Sequence, residues 1–237
     1  GYVELAGPSV AEEIGTIENL MRRHEPESLF IIDGALSRRS QGGSDVSEAV
    51  ILCVSAETSA NPEILAEKSS FALTLLQTPA ITQETAILFA DAIKEHPNQR
   101  AILLHGEGPD LSSSSLDTPS LVGYGKVIAN ALRPDTSYLF LKGAMTDQVL
   151  QELLGETNFN NLTLVVEDGT RLFIKPSSLH KIHDRKVTLA VLNPLDVRLV
   201  CLNPTRSNGQ CLDSQLTLTE LRKRIPIPVV DLGPKTM

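Results

Sequence analysis

Short apolar runs of strand length alternate with segments of helical period along this 237-residue chain. That alternation constrains the fold more than any motif. A strand that returns through a helix comes back parallel to its neighbour, so the expected fold class is α/β, a mostly parallel sheet covered by helices. The first unit reads almost explicitly: a strand at 2–5, then Gly7 and Pro8, then Ser9 with Glu12 as a capping box before the stripe Val10, Ile14, Ile17, Met21. Runs at 29–32 and 50–54 follow as strands, joined by a polar loop without apolar periodicity.

Asn61 as N-cap, Pro62 at the first helical position and Glu63 in the first turn predict a helix to about Gln77, with a second over 83–95. A strand at 101–105, a helix within 118–132, a strand at 137–143 and a helix from Thr146 or Asp147 to Gly155 come next. The serines 112–115 read as a short flexible loop. Beyond about residue 160 the texture changes. Residues 162–175 read as a hairpin about Asp168-Gly169, and 186–204 as two β runs split by Asn193-Pro194, before a helix at 216–225 and a strand at 226–232. The expected division is therefore an α/β nucleotide-binding-like domain over 1–157 and a β-rich C-terminal subdomain, or antiparallel extension, over 158–237.

Charge excludes some partners. Twenty-one Lys and Arg against 29 Asp and Glu leave a net charge of -8, and there is no Trp beside three Tyr and six Phe. Attraction to a phosphate backbone and aromatic stacking platforms are both missing, so no nucleic acid is expected. No apolar run approaches the roughly 18 residues that suggest a membrane span, so no membrane is expected either. Three cysteines make no disulfide framework; Cys53 and Cys201 lie in apolar runs and read as packed residues, which fits a cytoplasmic location.

Ligands of parallel sheets collect beyond the carboxyl ends of strands, so polar residues just after apolar runs are the candidates. Asp33 ends such a run, the form of an acidic strand acting on a magnesium ion beside a nucleotide, and equally of a strand whose Asp caps a turn. After Gly34, Arg38 and Arg39 are near enough to pair with Asp33 or to fork onto an anion, or they form a solvated basic loop. Ser55, Glu57, Thr58 and Ser59 follow the next strand, His105 and Glu107 a third, Lys142 and Thr146 a fourth, and a common crevice among these tips is expected. His180 and His183 share a helical spacing with no completing metal ligands. No Gly-rich phosphate cradle occurs, and the dipeptide Gly125-Lys126 is followed by Val127. The chain as given is not expected to hydrolyse NTP. An upstream cradle is the expectation if it descends from such a protein, in keeping with a strand-like start that does not begin with Met.

Two stretches, "GYVELAGPS" leading to "LFIIDGALSRRS" and "VCLNPTRSNGQCLDSQLTLTELRKRIPIPVVDL", resemble the reactivating-factor-like accessory proteins encoded beside cobalamin-dependent aminomutases such as lysine 5,6-aminomutase. Members of that family begin with a Walker-type phosphate loop, and this chain is similar to the part after it. The resemblance implies a P-loop NTPase-like remainder, ATP and Mg bound by the intact protein rather than tightly by this chain, and an aminomutase as partner. It implies a cofactor site at Asp33, Gly34, Arg38, Arg39, Glu57 and Thr58, with Asp33 toward the metal. Two loops depart from the pattern: Ser55-Ala56-Glu57 stands where a Gly-Ala tip is expected, and Arg206-Ser207-Asn208 where Ser-Pro-Tyr is expected. The rival expectations are a non-catalytic binding module for a small anionic metabolite, and an enzyme in which Asp33, Glu57, His105 and Glu107 share a pocket.

Overall fold

The computed structural model describes residues 11–27, 29, 31–32, 48–155 and 161–233. It is a mixed α/β fold with parallel sheet segments and covering helices. Helix α1 (Ala11–His24) comes first, then strand β1 (Val50–Ser55) and helix α2 (Pro62–Leu76). The expected capping box at Ser9 and the strand at 2–5 lie outside the described residues. At 29–32, Leu29, Ile31 and Ile32 belong to no strand, and Leu29 and Ile31 are exposed. An apolar run becomes a strand only where an edge offers it a ladder.

Three parallel strands make the first sheet, in the order β1, β9 (Val197–Asn203), β10 (Val229–Asp231). Helix α7 (Ser214–Arg224) links the last two and packs on α2. One sheet face meets these helices: Val54, Val200, Leu202 and Val229 pack against Leu65, Ala66 and Leu73 of α2 and Leu218 and Leu221 of α7. The strands alternate, so the other face carries Ile51, Cys53, Cys201 and Val230, and of these only Cys201 is buried.

The second sheet has five strands in the order β3 (Ser112–Leu116), β2 (Ala101–His105), β4 (Thr136–Leu141), β6 (Thr163–Val166), β8 (Thr188–Val191). Strand β2 runs antiparallel to both of its neighbours, β3 and β4, and the last three strands are parallel. Both faces are buried. Helix α3 (Gln83–Glu95) covers one with Phe89 and Ala92 against Ile102, Leu104, Phe140 and Val165. Helices α4 (Gly125–Ala131), α5 (Asp147–Leu154) and α6 (Pro176–Asp184) cover the other, where Leu103, Leu139, Leu141, Leu164 and Val166 meet Ile128, Val149, Leu153 and Ile182. Short strands β5 (Met145–Thr146) and β7 (Leu172–Phe173) pair in parallel beside it.

This unit is inserted into the first. The chain leaves α2 and returns alongside itself: Ala80 bridges Val191, Ile81 N–H donates to the Val191 carbonyl at 3.0 Å, and Val191 N–H to the Pro79 carbonyl at 3.0 Å. Val50 N–H then takes the Asp196 carbonyl at 2.9 Å as the chain re-enters the first sheet at β9.

Four expectations change. The boundary at 157/158 follows neither sheet, because β4 lies before it and its parallel partner β6 after it. Pairing is parallel except where β2 meets β3 and β4, and the strands of the C-terminal part, β6, β8, β9 and β10, extend this parallel pairing rather than an antiparallel one. Asp168-Gly169 opens no hairpin: Asp168 caps a 3-10 turn (Gly169–Arg171), and a Cβ on Gly169 would sit 2.4 Å from the Leu75 carbonyl oxygen. The serines 112–115 are strand β3 rather than loop, paired along β2 from Ala101↔Leu116 to His105↔Ser112. No helix among the described residues is long and apolar enough to cross a membrane.

Candidate functional site at the carboxyl edge of the three-stranded sheet

At the carboxyl edge of the first sheet the strands end at Ser55, Asn203 and Asp231. From Ser55 the chain makes a tight local turn. Thr58 N–H donates to the Ser55 carbonyl at 2.9 Å, Glu57 N–H to Ser55 Oγ at 3.2 Å, and Asn61 N–H to Ser59 Oγ at 3.1 Å. Asn61 then caps α2, its Oδ1 accepting from Glu63 N–H at 2.8 Å and Ile64 N–H at 3.3 Å. The loop after β9 is equally fixed: Asn203 Oδ1 accepts from Thr205 N–H at 3.1 Å, Arg206 N–H donates to the Gln210 carbonyl at 2.8 Å, and Gly209 supplies the positive φ of 81° that closes the turn.

These two loops meet. Ala56 N–H donates to the Asn203 carbonyl at 3.0 Å, which carries the ladder one step past the strands. Beyond it, Glu57 Oε1 accepts the Ser207 N–H, and Arg206 Nε lies 4.0 Å from Glu57 Oε2. The Ser207 backbone N–H holds the Glu57 carboxyl below the usual carboxylate range, its side chain adds to this, burial opposes, and the Arg206 guanidinium assists. Arg206 Nε itself is buried and makes no hydrogen bond. A donor taken from water without a replacement acceptor costs free energy. The edge thus holds an undirected guanidinium N–H and a backbone N–H on which a carboxylate of the same chain now sits.

Of the expected site residues, Glu57 and Thr58 are at this edge; Thr58 is exposed, and its carbonyl accepts from Lys68 Nζ at 3.3 Å. Asp33, Gly34, Arg38 and Arg39 lie outside the described residues. Arg206 and Ser207 join the edge, and the pointer to them in the sequence is their position after an apolar run in a loop of donor residues.

The common crevice in one parallel sheet is not what forms. Glu57 belongs to the first sheet, whereas His105 and Lys142 belong to the second and lie at opposite ends of β4, because β2 is antiparallel to it. His105 is buried between Thr136 Oγ1 at 3.0 Å and Ser114 Oγ at 2.7 Å. Lys142 Nζ donates to the Pro97 carbonyl at 2.8 Å, and Thr146 is the N-cap of α5. Glu107 is the exposed N-cap residue of a 3-10 turn (Gly108–Asp110). His180 and His183 are exposed on α6, and among the described residues no group of three or more His, Cys, Asp or Glu could hold a metal ion.

A cleft of about 270 Å³ opens elsewhere, between α5 and α6, over Leu150 and Leu154 with Lys181 and Asp184 at its rim. It receives no residue from the strand tips, and its floor belongs to the core of the second sheet. The edge of the first sheet is the better candidate because donors of fixed direction converge there.

Compared with known proteins, the chain matches no family model, no curated protein and no solved structure.

Proposed function

We propose that the chain is the ligand-binding remainder of an ATP-linked accessory protein that assists a cobalamin-dependent aminomutase, and that it takes the phosphate end of the nucleotide at the carboxyl edge of the three-stranded sheet. The single observation that carries the site is the Glu57 clasp. A carboxylate resting on the Ser207 N–H beside Arg206 occupies the place, and has the charge, of an incoming phosphate oxygen. Binding exchanges the internal anion for the external one: the phosphate takes the Ser207 N–H and the Arg206 Nε–H, and Glu57 turns to solvent. The free energy of that exchange is small, because one charge-assisted contact replaces another.

The described residues fit an anion and do not by themselves fit a metal, since Glu57 is not accompanied by further ligands in a metal-binding group. Magnesium, which would screen the phosphate charge, therefore depends on Asp33, the residue to which the resemblance assigns it. The resemblance also supplies the aminomutase partner; the two loops that depart from the family pattern are the two that form the clasp, so ligand preference is where this chain differs.

Calorimetric titration with ATP and magnesium tests the reading. The wild-type protein binds, and Arg206→Ala and Asp33→Ala each weaken binding at least about tenfold, or 1.4 kcal/mol. Equal affinity in wild type and Arg206→Ala removes the edge as the site. Binding of inorganic phosphate as tight as that of ATP would instead favour a module for a small anionic metabolite.

A further inference from the structure

Cys53 and Cys201 read in the sequence as packed apolar residues, yet they stand side by side in the parallel pair β1 and β9, in direct register. Register partners in a sheet project from the same face. Here that face is the one opposite α2 and α7. Cys53 is exposed there while Cys201 is buried beside it. Neighbouring strands run about 4.8 Å apart, inside the Cα separation of roughly 4.4–6.8 Å that a disulfide spans. The sheet thus presents one reachable thiol with a second thiol directly behind it. Neither is used by the candidate site.

We infer that Cys53 and Cys201 form a reversible redox modification site, in which a peroxide oxidises the exposed thiol and the buried one resolves it to a disulfide. In the first step the Cys53 sulfur attacks one peroxide oxygen, the O–O bond breaks, and a sulfenic acid and water are formed. In the second the Cys201 sulfur attacks the Cys53 sulfur, the S–O bond breaks, the S–S bond forms, and a second water leaves with the Cys201 proton. Two thiols have lost two electrons to one peroxide, and a thiol reductant reverses the change. The order of events follows the environment: burial pushes the Cys201 thiol up, and the neighbouring Cys53 thiol adds to that rise, so Cys201 keeps its proton until the sulfenic acid is beside it. The bond would tie β1 to β9 two residues below Ser55 and Asn203.

Peptide mapping of the intact chain decides this. The protein is treated with hydrogen peroxide, blocked with iodoacetamide before denaturation, and cut with trypsin, which separates all three cysteines: Cys201 falls in 199–206 and Cys211 in 207–222. The expected product is peptide 199–206 joined to the Cys53 peptide, lighter by two hydrogen atoms than the two free peptides together and absent after dithiothreitol. Cys211→Ser keeps this product. Cys201→Ser loses it and leaves Cys53 as a sulfenic acid that dimedone traps. Three unlinked thiols after excess peroxide, a Cys53–Cys211 link, a link between two chains, or Cys53 oxidised beyond sulfenic acid with Cys201 unmodified would each overturn the inference.

Discussion

Gly169 shows how little room one residue can have. A Cβ there would lie 2.4 Å from the Leu75 carbonyl oxygen and 2.6 Å from the Leu76 Cα, and main chain at the end of a packed helix cannot give way as a side-chain tip can. Gly169→Ala should cost about 3 kcal/mol, the upper part of the range for overpacking, read as a lower denaturation midpoint in urea. An unchanged midpoint would show that the turn and α2 separate easily. His105 makes a second prediction. Burial, then the Arg133 cation, pulls its pKa below the ordinary 6.5, with Asp135 acting in the opposite sense. The folded chain holds it neutral, while the unfolded chain protonates it below that ordinary value. Its contribution to stability is therefore complete above 6.5 and falls as pH drops from there toward the lowered folded value. Between about pH 7.5 and 5.5 the melting temperature of the wild type should fall more steeply than that of His105→Gln. Parallel slopes would mean that His105 takes up its proton as readily in the fold as in the unfolded chain.

The helices were the most legible elements, and α2 shows why. Its start is encoded locally, by Asn61, Pro62 and Glu63, and the observed beginning of the span Pro62–Leu76 follows from those residues. Asn61→Ala removes the acceptor for two N–H groups and should cost about 1 kcal/mol in urea denaturation. No loss of stability would show that water replaces the cap without penalty. The strand β3 was illegible for the opposite reason. Serine has no strong strand preference, so "SSSS" reads as loop, and the segment becomes a strand because the edge of β2 offers unpaired groups. The His105–Ser114 hydrogen bond ties that edge in place. Asp168-Gly169 misled for a related reason: the same two residues serve a tight turn and a close approach, and only the neighbouring helix distinguishes them. The candidate site was half legible. Glu57 stands at a strand tip as expected, but its partners Arg206 and Ser207 are about 150 residues away in sequence, and no local spacing signals such a pairing.

At the scale of the molecule, the second sheet is an insertion whose two ends are bridged at Ala80 and Val191. Helix α2 joins the parts: Leu65, Ala66 and Leu73 enter the core of the first sheet, and Leu75 that of the second. Neither core keeps its packing if α2 leaves, so both should unfold together. Urea unfolding followed by tyrosine fluorescence, to which Tyr124 and Tyr138 of the inserted unit contribute, and by Cys201 alkylation in the first sheet should give coincident transitions. Two separated transitions would mean that α2 does not couple the cores. The clasp that closes the edge depends on this arrangement, since the insertion separates β1 from β9 in sequence while the sheet keeps their tips adjacent. The affinity of Glu57→Ala for ATP and magnesium, compared by calorimetry with that of the wild type, addresses the clasp directly. If Glu57 stands where the phosphate binds, its removal tightens binding by about tenfold, or 1.4 kcal/mol; unchanged or weaker binding would contradict the assignment.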